Sequence, residues 1–425
     1  MADSILSIDK LALRDDSIIK KELYPYSPYT TKFGESDEIR IAIQSKDSYL
    51  LPCESYIYIQ IEATSSGTHA TTDPEVFFVN NFPAFLFSDA RYELNGVEID
   101  RVRNVGRATT MKLLTAARST TDFGYEQYCK NMTKSSPRAT GNTKKVYDIC
   151  LPLSTLFGFA DDYKKIILNC KHELILNRAR QSLDCVEGGG EAATAAKVTL
   201  AVKQIQWKMM HVTLSDHVKL NMLNYLSKNR RITVQHRTFD MIEYPNLPQT
   251  TSLVWSVKSL PHIHRPRFII VGLQTARNGV RVKDASKFDP CHVSDIRVFL
   301  NSQIYPYHLN DLNISSGYLS ELFHMYYTAQ KSYYSGSEQL NPFYLNYSNF
   351  QSSPLFVFDT SRADESLINS AVDIRVEIKA SEAINENTAA YCLIIYDNTF
   401  TYSPFDGIMT SNINACTNTK ILSFI

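Results

Sequence analysis

The amino-acid sequence predicts an all-β protein made of two tandem β-sandwich domains with a few short helices. Many short runs alternate apolar and polar residues with a period of two, which is typical of strands that bury one face. Runs with helical periodicity are few and short. A weak internal repeat places similar strand, turn and helix patterns 206 residues apart, which indicates that one sandwich was duplicated.

Residues 1–30 are predicted to form an N-terminal arm. Apolar side chains such as Ile5 and Leu11 lie in this segment, but it is too short to build a core of its own. Pro25 and Pro28 interrupt any long helix and push the residues before them into extended conformations. We therefore expect an extended arm that docks on a neighbouring surface.

The first sandwich is predicted to span residues 31–214. Two of its strand patterns carry isoleucine at every second position: Ile39, Ile41, Ile43, Ile57, Ile59 and Ile61. These side chains are expected to point into a core, while Tyr56 and Tyr58 face the other way. A hairpin turn is predicted at Asn95-Gly96, because this dipeptide favours the left-handed backbone of a two-residue turn. A helix is expected to follow at about 107–117.

A helix at 215–228 is predicted to link the domains, with Ser215 or Asp216 at its N-cap. The second sandwich then spans 229–425, with a helix at about 317–331. One of its strand patterns alternates apolar with charged residues, and its apolar positions are Val372, Ile374, Val376 and Ile378. Each half is also expected to end in a pair of long strands, 164–178 with 197–211 and 371–380 with 389–398.

The internal repeat is carried by two similar segments. Arg91-Tyr92-Glu93-Leu94-Asn95-Gly96 precedes the helix of the first half, and Arg297-Val298-Phe299-Leu300-Asn301-Ser302 precedes that of the second. Two units of 206 residues account for 412 of the 425 residues. Leu-Asn pairs are common, so coincidence is the alternative, but the shared order of strands, hairpin, helix and strands favours duplication.

The composition argues against two classes of protein, dedicated nucleic-acid binders and proteins secreted by a signal peptide. The chain has 44 basic and 44 acidic residues and no formal net charge, whereas a dedicated nucleic-acid binder usually has a basic excess. Its eight cysteines form no C-x-x-C pair, and the N-terminus has no signal-peptide pattern. We therefore expect free, mostly buried thiols in a reducing intracellular environment, with no secretion by a signal peptide.

No residue is predicted to be catalytic, to bind a cofactor or to ligate a metal. His262 and His264 share one side of an extended segment, but no acidic or cysteine side chain lies nearby in sequence to complete a metal site. Asp161 and Asp162 are expected in a solvated turn rather than in acid–base catalysis. A basic cluster at 228–237 is expected to make a linker contact or an inter-subunit salt bridge, with contact to packaged nucleic acid as the alternative.

Several segments, taken together, resemble a known protein family. They are Asp47-Ser48-Tyr49-Leu50, Val79-Asn80-Asn81, Leu94-Asn95-Gly96, Leu355-Phe356-Val357-Phe358-Asp359 and Asn387-Thr388-Ala389-Ala390-Tyr391-Cys392-Leu393-Ile394-Ile395. In order and spacing they resemble the double jelly-roll major capsid proteins of Polinton-like and adintovirus-like elements and their relatives integrated in arthropod genomes. The resemblance covers roughly residues 24 to 400. The chain is shorter than is usual for the Polinton group, which implies small surface loops.

The resemblance implies two tandem jelly-roll β-sandwiches in one chain. Three chains then form a homotrimer of six similar barrels, a pseudo-hexagonal block that tiles the icosahedral shell of a DNA virus or virus-like element. The implied partners are further copies of the chain and minor capsid proteins, with no specific nucleic-acid recognition. The implied location is the virion capsid, assembled inside the host cell, and the arm would dock on a neighbour, the shell interior or an internal membrane.

Aromatic side chains are enriched at protein interfaces, so a tyrosine-rich segment after the second hairpin is the candidate subunit interface. Its residues are Tyr326, Tyr327, Tyr333 and Tyr334. The alternative is that these tyrosines cover their own sandwich. The alternative function is a β-sandwich binding module outside virions, either carbohydrate-binding or a host-domesticated capsid relative. Trp207 and Trp255, the only tryptophans, both lie in strand patterns, which argues against a carbohydrate-binding surface.

Overall fold

A computed structural model describes most of the chain. The described residues are 17–45, 48–66, 77–116, 144–188, 197–228, 231–257, 266–307, 312–314, 316–333, 347–362, 372–405 and 407–411. They form two β-sandwiches that follow one another along the chain, and nearly all strand pairs are antiparallel neighbours in four larger sheets.

Within the described part of the chain, the first sandwich contains ten strands. They are β1 (Ile18–Tyr26), β2 (Glu38–Ile43), β3 (Tyr49–Ser66), β4 (Phe77–Phe78), β5 (Phe87–Leu94), β6 (Val97–Arg103), β7 (Lys144–Pro152), β8 (His172–Arg178), β9 (Val186–Glu187) and β10 (Lys197–Leu214). One sheet has the order β1-β10-β3-β7, and the facing sheet has the order β2-β8-β5-β6. Strands β4 and β9 pair separately.

The second sandwich contains nine strands in the described residues. They are β11 (Ile232–Tyr244), β12 (Ser252–Val257), β13 (Pro266–Thr275), β14 (Val293–Leu300), β15 (Gln303–Tyr305), β16 (Phe356–Asp359), β17 (Ile374–Ala380), β18 (Thr388–Tyr402) and β19 (Met409–Ser411). Their sheets have the orders β11-β18-β13-β16 and β12-β17-β14-β15, and β19 extends the first of these by pairing with β18.

The two sandwiches share one topology. If the strands of the large sheets are counted along the chain, both halves place strands 1, 8, 3 and 6 in one sheet and strands 2, 7, 4 and 5 in the other. Strand β1 thus corresponds to β11, β6 to β15, and β10 to β18. The duplicated sandwich predicted from the repeat is confirmed, and the all-β fold class with it.

Seven short helices occur in the described residues. They are α1 (Phe82–Phe85), α2 (Val105–Ala116), α3 (Leu153–Leu156), α4 (Gly158–Asp162), α5 (Asp216–Leu226), α6 (Ser320–Tyr333) and α7 (Tyr347–Ser352). Helices α2, α5 and α6 fall where helical periodicity predicts them. The four- to six-residue helices α1, α3, α4 and α7 are too short to show a period in the sequence.

The alternating runs bury the predicted faces. Ile57, Ile59 and Ile61 are fully buried, and Tyr56 and Tyr58 lie on the more accessible side of β3. The predicted hairpin joins β5 to β6, with Asn95 and Gly96 at φ 48° and 79°, the left-handed region that favours this dipeptide. Apolar side chains from the inner sheet faces form one cluster that runs continuously through both sandwiches.

The predicted pairs of long strands at the end of each half are wrong. Strand β8 pairs with β2 and β5, whereas β10 pairs with β1 and β3 in the opposite sheet. Strands β17 and β18 are separated in the same way. Nearness in sequence favours hairpins, but here these connections cross from one sheet to the other, so both strands still bury one face without touching as neighbours.

Two features of the first sandwich depart from a simple copy of the second. Residues 18–26, assigned to the arm from sequence, form edge strand β1, which pairs with β10 from Ile18–Leu214 to Tyr26–Trp207. Strands β3 and β10 each have 18 residues, while their counterparts β13 and β18 have 10 and 15. The two central strands of this sheet are therefore longer in the first sandwich, whereas edge strand β1 has 9 residues and its counterpart β11 has 13. Residues 1–16 lie outside the described part of the chain.

Candidate functional site

The two sandwiches meet in an extensive seam, and this seam is the chain's most distinctive polar site. The first sandwich contributes β6, α2 and α4, and the second contributes β11, β13, β18 and α6. At the centre, Gly158 lies so close to β11 that a Cβ there would be 2.0 Å from the Arg237 carbonyl oxygen. Only glycine permits this approach of the two backbones.

Arg237 of β11 binds Asp162 at the end of α4. Its backbone N–H and its Nε each donate to Asp162 Oδ2 at 2.8 Å, and its Nη2 donates to Oδ1. Its Nη1 donates to the Tyr333 carbonyl at 2.8 Å, and the guanidinium lies 3.7 Å from the centre of the Tyr333 ring. Burial favours a raised pKa for Asp162, but the hydrogen bonds and charge of Arg237 outweigh it and hold that pKa below its ordinary value. The expected solvated turn is thus wrong for Asp162.

Asp100 of β6 forms a second polar contact across the seam. Its carboxylate is buried and accepts hydrogen bonds from the Thr238 hydroxyl and, at 3.0 Å, from the Phe159 backbone N–H. Burial raises the pKa of Asp100 to about 6, and these hydrogen bonds limit the rise. The group ties β6, α4 and β11 together.

His236, next to Arg237 on β11, packs as an aromatic side chain. It is 2% exposed, and its ring centre is 5.4 Å from that of Phe159 and 5.8 Å from that of Phe400. Burial lowers the pKa of His236 to about 4, against the opposing influence of Asp162 and the Ile99 carbonyl. The ring is therefore neutral at physiological pH.

Arg107 of α2 forms a further set of polar contacts across the seam. Its Nε donates to Gln274 Oε1 at 3.0 Å, and its Nη2 lies 3.0 Å from Asp184 Oδ2. The guanidinium also lies over the Tyr391 ring at 5.3 Å. Asp184 in turn accepts the Gly279 backbone N–H at 2.7 Å. A buried arginine with these partners fixes a loop of the second sandwich against the first.

Further hydrogen bonds fix one end of the seam. Asn95, in the β5–β6 turn, donates from Nδ2 to the Gly407 carbonyl at 3.0 Å, and Asn169 donates to the Pro404 carbonyl at 2.8 Å. Both contacts reach the segment between β18 and β19. The arrangement of charges, hydrogen bonds and packed rings is that of a permanent interface inside one chain, and no substrate cleft is needed to explain it.

A family model for the double jelly roll-like domain matches residues 76–400. That match covers most of the chain and includes both sides of the seam. The chain belongs to the double jelly roll-like domain family. A comparison with curated proteins found no match.

Solved structures share the double jelly-roll fold at low sequence identity. A chain of the Sputnik virophage structure aligns with a TM-score of 0.63 and 9% identity, covering 99% of this chain and 95% of that one. The major capsid protein of faustovirus aligns at 0.57 and 9%, covering 94% of each chain. The major capsid protein of mavirus aligns at 0.56 and 11%, covering 95% and 92%.

The candidate interface tyrosines lie in different environments of the double jelly roll. Tyr326 is 1% exposed, and its hydroxyl donates to the Leu114 carbonyl of α2. Tyr333 is also buried and covers Arg237. These two side chains belong to the chain's own core and are not available to a partner. Tyr327 is 43% exposed, and Tyr334 lies outside the described residues.

The remaining residues singled out from the sequence are two histidines, two tryptophans and a basic cluster. His262 and His264 lie outside the described residues. Trp207 and Trp255 are buried in β10 and β12, so neither offers a sugar-stacking surface. Of the basic cluster, Arg237 forms its ion pair with Asp162 of the first sandwich, within the chain rather than between subunits.

The described residues contain neither a metal-binding cluster nor a membrane-spanning helix, and their cysteines are free thiols. Among them, no three His, Cys, Asp or Glu side chains group closely enough to hold a metal ion. In the same ranges, no helix is both long and apolar enough to cross a membrane. Six cysteines are described, and all six are free thiols that are buried or partly buried, as predicted.

Proposed function

We propose that the chain is a structural major capsid protein of an icosahedral DNA virus or virus-like element. It assembles as pseudo-hexagonal homotrimers, and these tile a shell. The observation that carries this proposal is the pair of sandwiches with the same strand order, held together by a buried seam. The fold shared with major capsid proteins of faustovirus and mavirus supports it.

The physical argument starts from symmetry. A hexagonal lattice needs blocks with nearly sixfold outlines, and three chains of two similar barrels supply such a block with exact threefold symmetry. A seam that fixes the two barrels within each chain removes their relative motion before assembly. A closed ring also covers sheet edges that would otherwise invite uncontrolled pairing.

The proposed partners follow from the same reasoning. They are further copies of the chain and, at gaps in the lattice, minor capsid proteins. No specific nucleic-acid recognition is proposed, because a chain with zero formal net charge supplies no general excess of cations for phosphate. The proposed location is the virion capsid, after assembly in the host cell.

Light scattering and negative-stain imaging of the purified chain test the proposal. We expect a particle of three times the 48.3 kDa chain mass with a hexagonal outline, or larger shells. A monomer that persists at every protein concentration, salt concentration and pH tested would contradict a capsid role and favour a binding module.

The residues before β1 are proposed to carry the docking role of the arm. Because β1 itself belongs to the first sandwich, a deletion that tests this role must stop at residue 16. The truncated chain should keep its fold and trimer mass but assemble shells poorly. Normal shell yield from the truncated chain would exclude the role.

A further inference from the structure

Equivalent edge strands of the two sandwiches have opposite environments. Strand β11 is covered, and Val234, His236 and Thr238 on it are at most 4% exposed. Strand β1 occupies the same place in its own sheet, yet its apolar side chains face solvent. The exposed fractions are 41% for Ile18, 66% for Ile19, 41% for Leu23 and 45% for Tyr24.

The elements that pack on β11 indicate which kind of element could pack on β1. In the chain, β11 packs against β6 and α4 of the first sandwich, with α2 alongside. The counterparts of β6 and α2 in the second sandwich are β15 and α6, because each of the two helices follows the fifth strand of its sandwich. Helix α2 is buried almost all round, whereas α6 has one face open to solvent.

The open surface around α6 is also aromatic. Tyr327 on this helix is 43% exposed, and Tyr318, just before it, is 71% exposed. The Tyr347 ring packs edge-on against Phe323 of α6, and its hydroxyl donates to the Gly317 carbonyl at 2.8 Å, next to Tyr318. We call this surface, Tyr318, Tyr327 and Tyr347, the tyrosine face. Aromatic side chains of this kind are enriched in protein interfaces.

We propose that β1 of one chain packs on the tyrosine face of a second copy, repeating between chains the seam that joins the two sandwiches within a chain. The inference rests on the proposed trimer and names the surfaces that build it. The two surfaces differ from each other, so the contact is head-to-tail, and a head-to-tail contact closes a ring when its rotation allows.

The charges on β1 are compatible with this contact. Lys20 Nζ lies 2.7 Å from Glu22, and Lys21 Nζ lies 3.0 Å from Glu54. These cations are thus paired within their own chain and bring no unpaired charge to the partner. Lysine on an edge strand also discourages random pairing with other sheet edges, which favours the specific apolar contact.

Two charge-introducing variants test the contact, one on each surface. Ile19→Asp alters β1 and Tyr327→Asp alters the tyrosine face. Val254→Asp is the matched control, because Val254 is 52% exposed on β12, at the edge of its sheet opposite β15. We expect I19D and Y327D each to raise the trimer dissociation constant at least about 30-fold, and V254D to leave it unchanged.

Mixing the two variants gives a sharper result. In a head-to-tail contact, Y327D still offers an intact β1, and I19D still offers an intact tyrosine face. The mixture should therefore form a heterodimer that cannot close into a trimer, while each variant alone stays monomeric. Circular dichroism and urea unfolding check that both variants keep the wild-type fold.

A cysteine pair tests the contact by forming a new cross-link rather than by weakening the trimer. The double variant I19C/Y327C should form disulfide-linked dimers and trimers under mild oxidation, and V254C/Y327C should not. If the wild-type chain is monomeric throughout, the proposed function fails. If the wild type is trimeric but I19D and Y327D remain trimeric and the cysteine pair does not cross-link, only this inference is overturned.

Discussion

Replacing Arg237 with Met should weaken the coupling between the two sandwiches. The change keeps most of the side-chain volume but removes five hydrogen-bond donors and the charge, and it leaves the Asp162 carboxylate in a seam where its side chain is 18% exposed. Removing one partner of a buried ion pair typically costs 3–5 kcal/mol. Because some water reaches this pair, we expect the lower end, about 3 kcal/mol.

The chain offers a matched control and a way to isolate the pair. Arg267→Met breaks the exposed pair with Asp397, in which the side chains are 37% and 42% exposed, and should cost less than about 1 kcal/mol. In an Asp162→Asn background the cost of R237M should fall, because no carboxylate is left without its partner. The difference between the two backgrounds measures the coupling across the seam.

Tryptophan fluorescence can follow each sandwich separately during urea unfolding. Trp207 lies in the first sandwich and Trp255 in the second, and the sequence has no other tryptophan. In W255F and W207F backgrounds, the remaining tryptophan reports one sandwich alone. The wild-type seam should give coincident transitions, and R237M should separate them. The reasoning is refuted if R237M costs no more than R267M, or if D162N does not reduce its cost.

Three further outcomes follow from the seam and the core. In the folded chain the pKa of His236 is lowered from about 6.5 to about 4, so between these pH values only the unfolded chain binds a proton at this ring. The free energy of unfolding should therefore fall by up to roughly 1.4 kcal/mol per pH unit as the pH falls from 6.5 to 4. In urea titrations, H236F should lose less stability than the wild type between pH 7 and pH 5. Gly158→Ala should lower the free energy of unfolding by about 1–3 kcal/mol or more in the same assay, because the added Cβ would meet the backbone of Arg237. Gly34→Ala is the control and should cost less, because its Cβ would meet only the movable Asp37 carboxylate. Burial raises the pKa of the Cys170 thiol to about 12, so a thiol reagent at pH 8 should label this cysteine only after the protein unfolds. Mass spectrometry that finds Cys170 rapidly labelled in the native protein would contradict this expectation.

Local patterns in the sequence predict much of the fold. The isoleucine alternation of β3 and the Asn95-Gly96 turn depend on neighbouring residues, so they can be identified without knowing any distant contact. Strand partners depend on contacts far apart in sequence, and this is why β8 and β10 were wrongly paired. The shared strand order of the two halves became visible only in the sheets.

The seam was harder to predict than the fold. Asp162 and Arg237 are 75 residues apart, and neither carries a local sign of its partner. One signal was available for the candidate interface, however. Leu322, Tyr326 and Tyr333 recur at helical spacing and define the buried face of α6, while Tyr327 falls outside that face. A helical projection of this segment separates the core tyrosines from the exposed one.

The unequal strand lengths of the two sandwiches affect how any assembled particle should be imaged. At about 3.3 Å per residue, an 18-residue strand spans about 60 Å and a 10-residue strand about 33 Å. In the proposed trimer, sandwiches with longer and shorter central strands alternate around the ring, so three of the six positions differ from the other three. Sixfold averaging of particle images would merge these positions, whereas threefold averaging would keep the two kinds of barrel distinct.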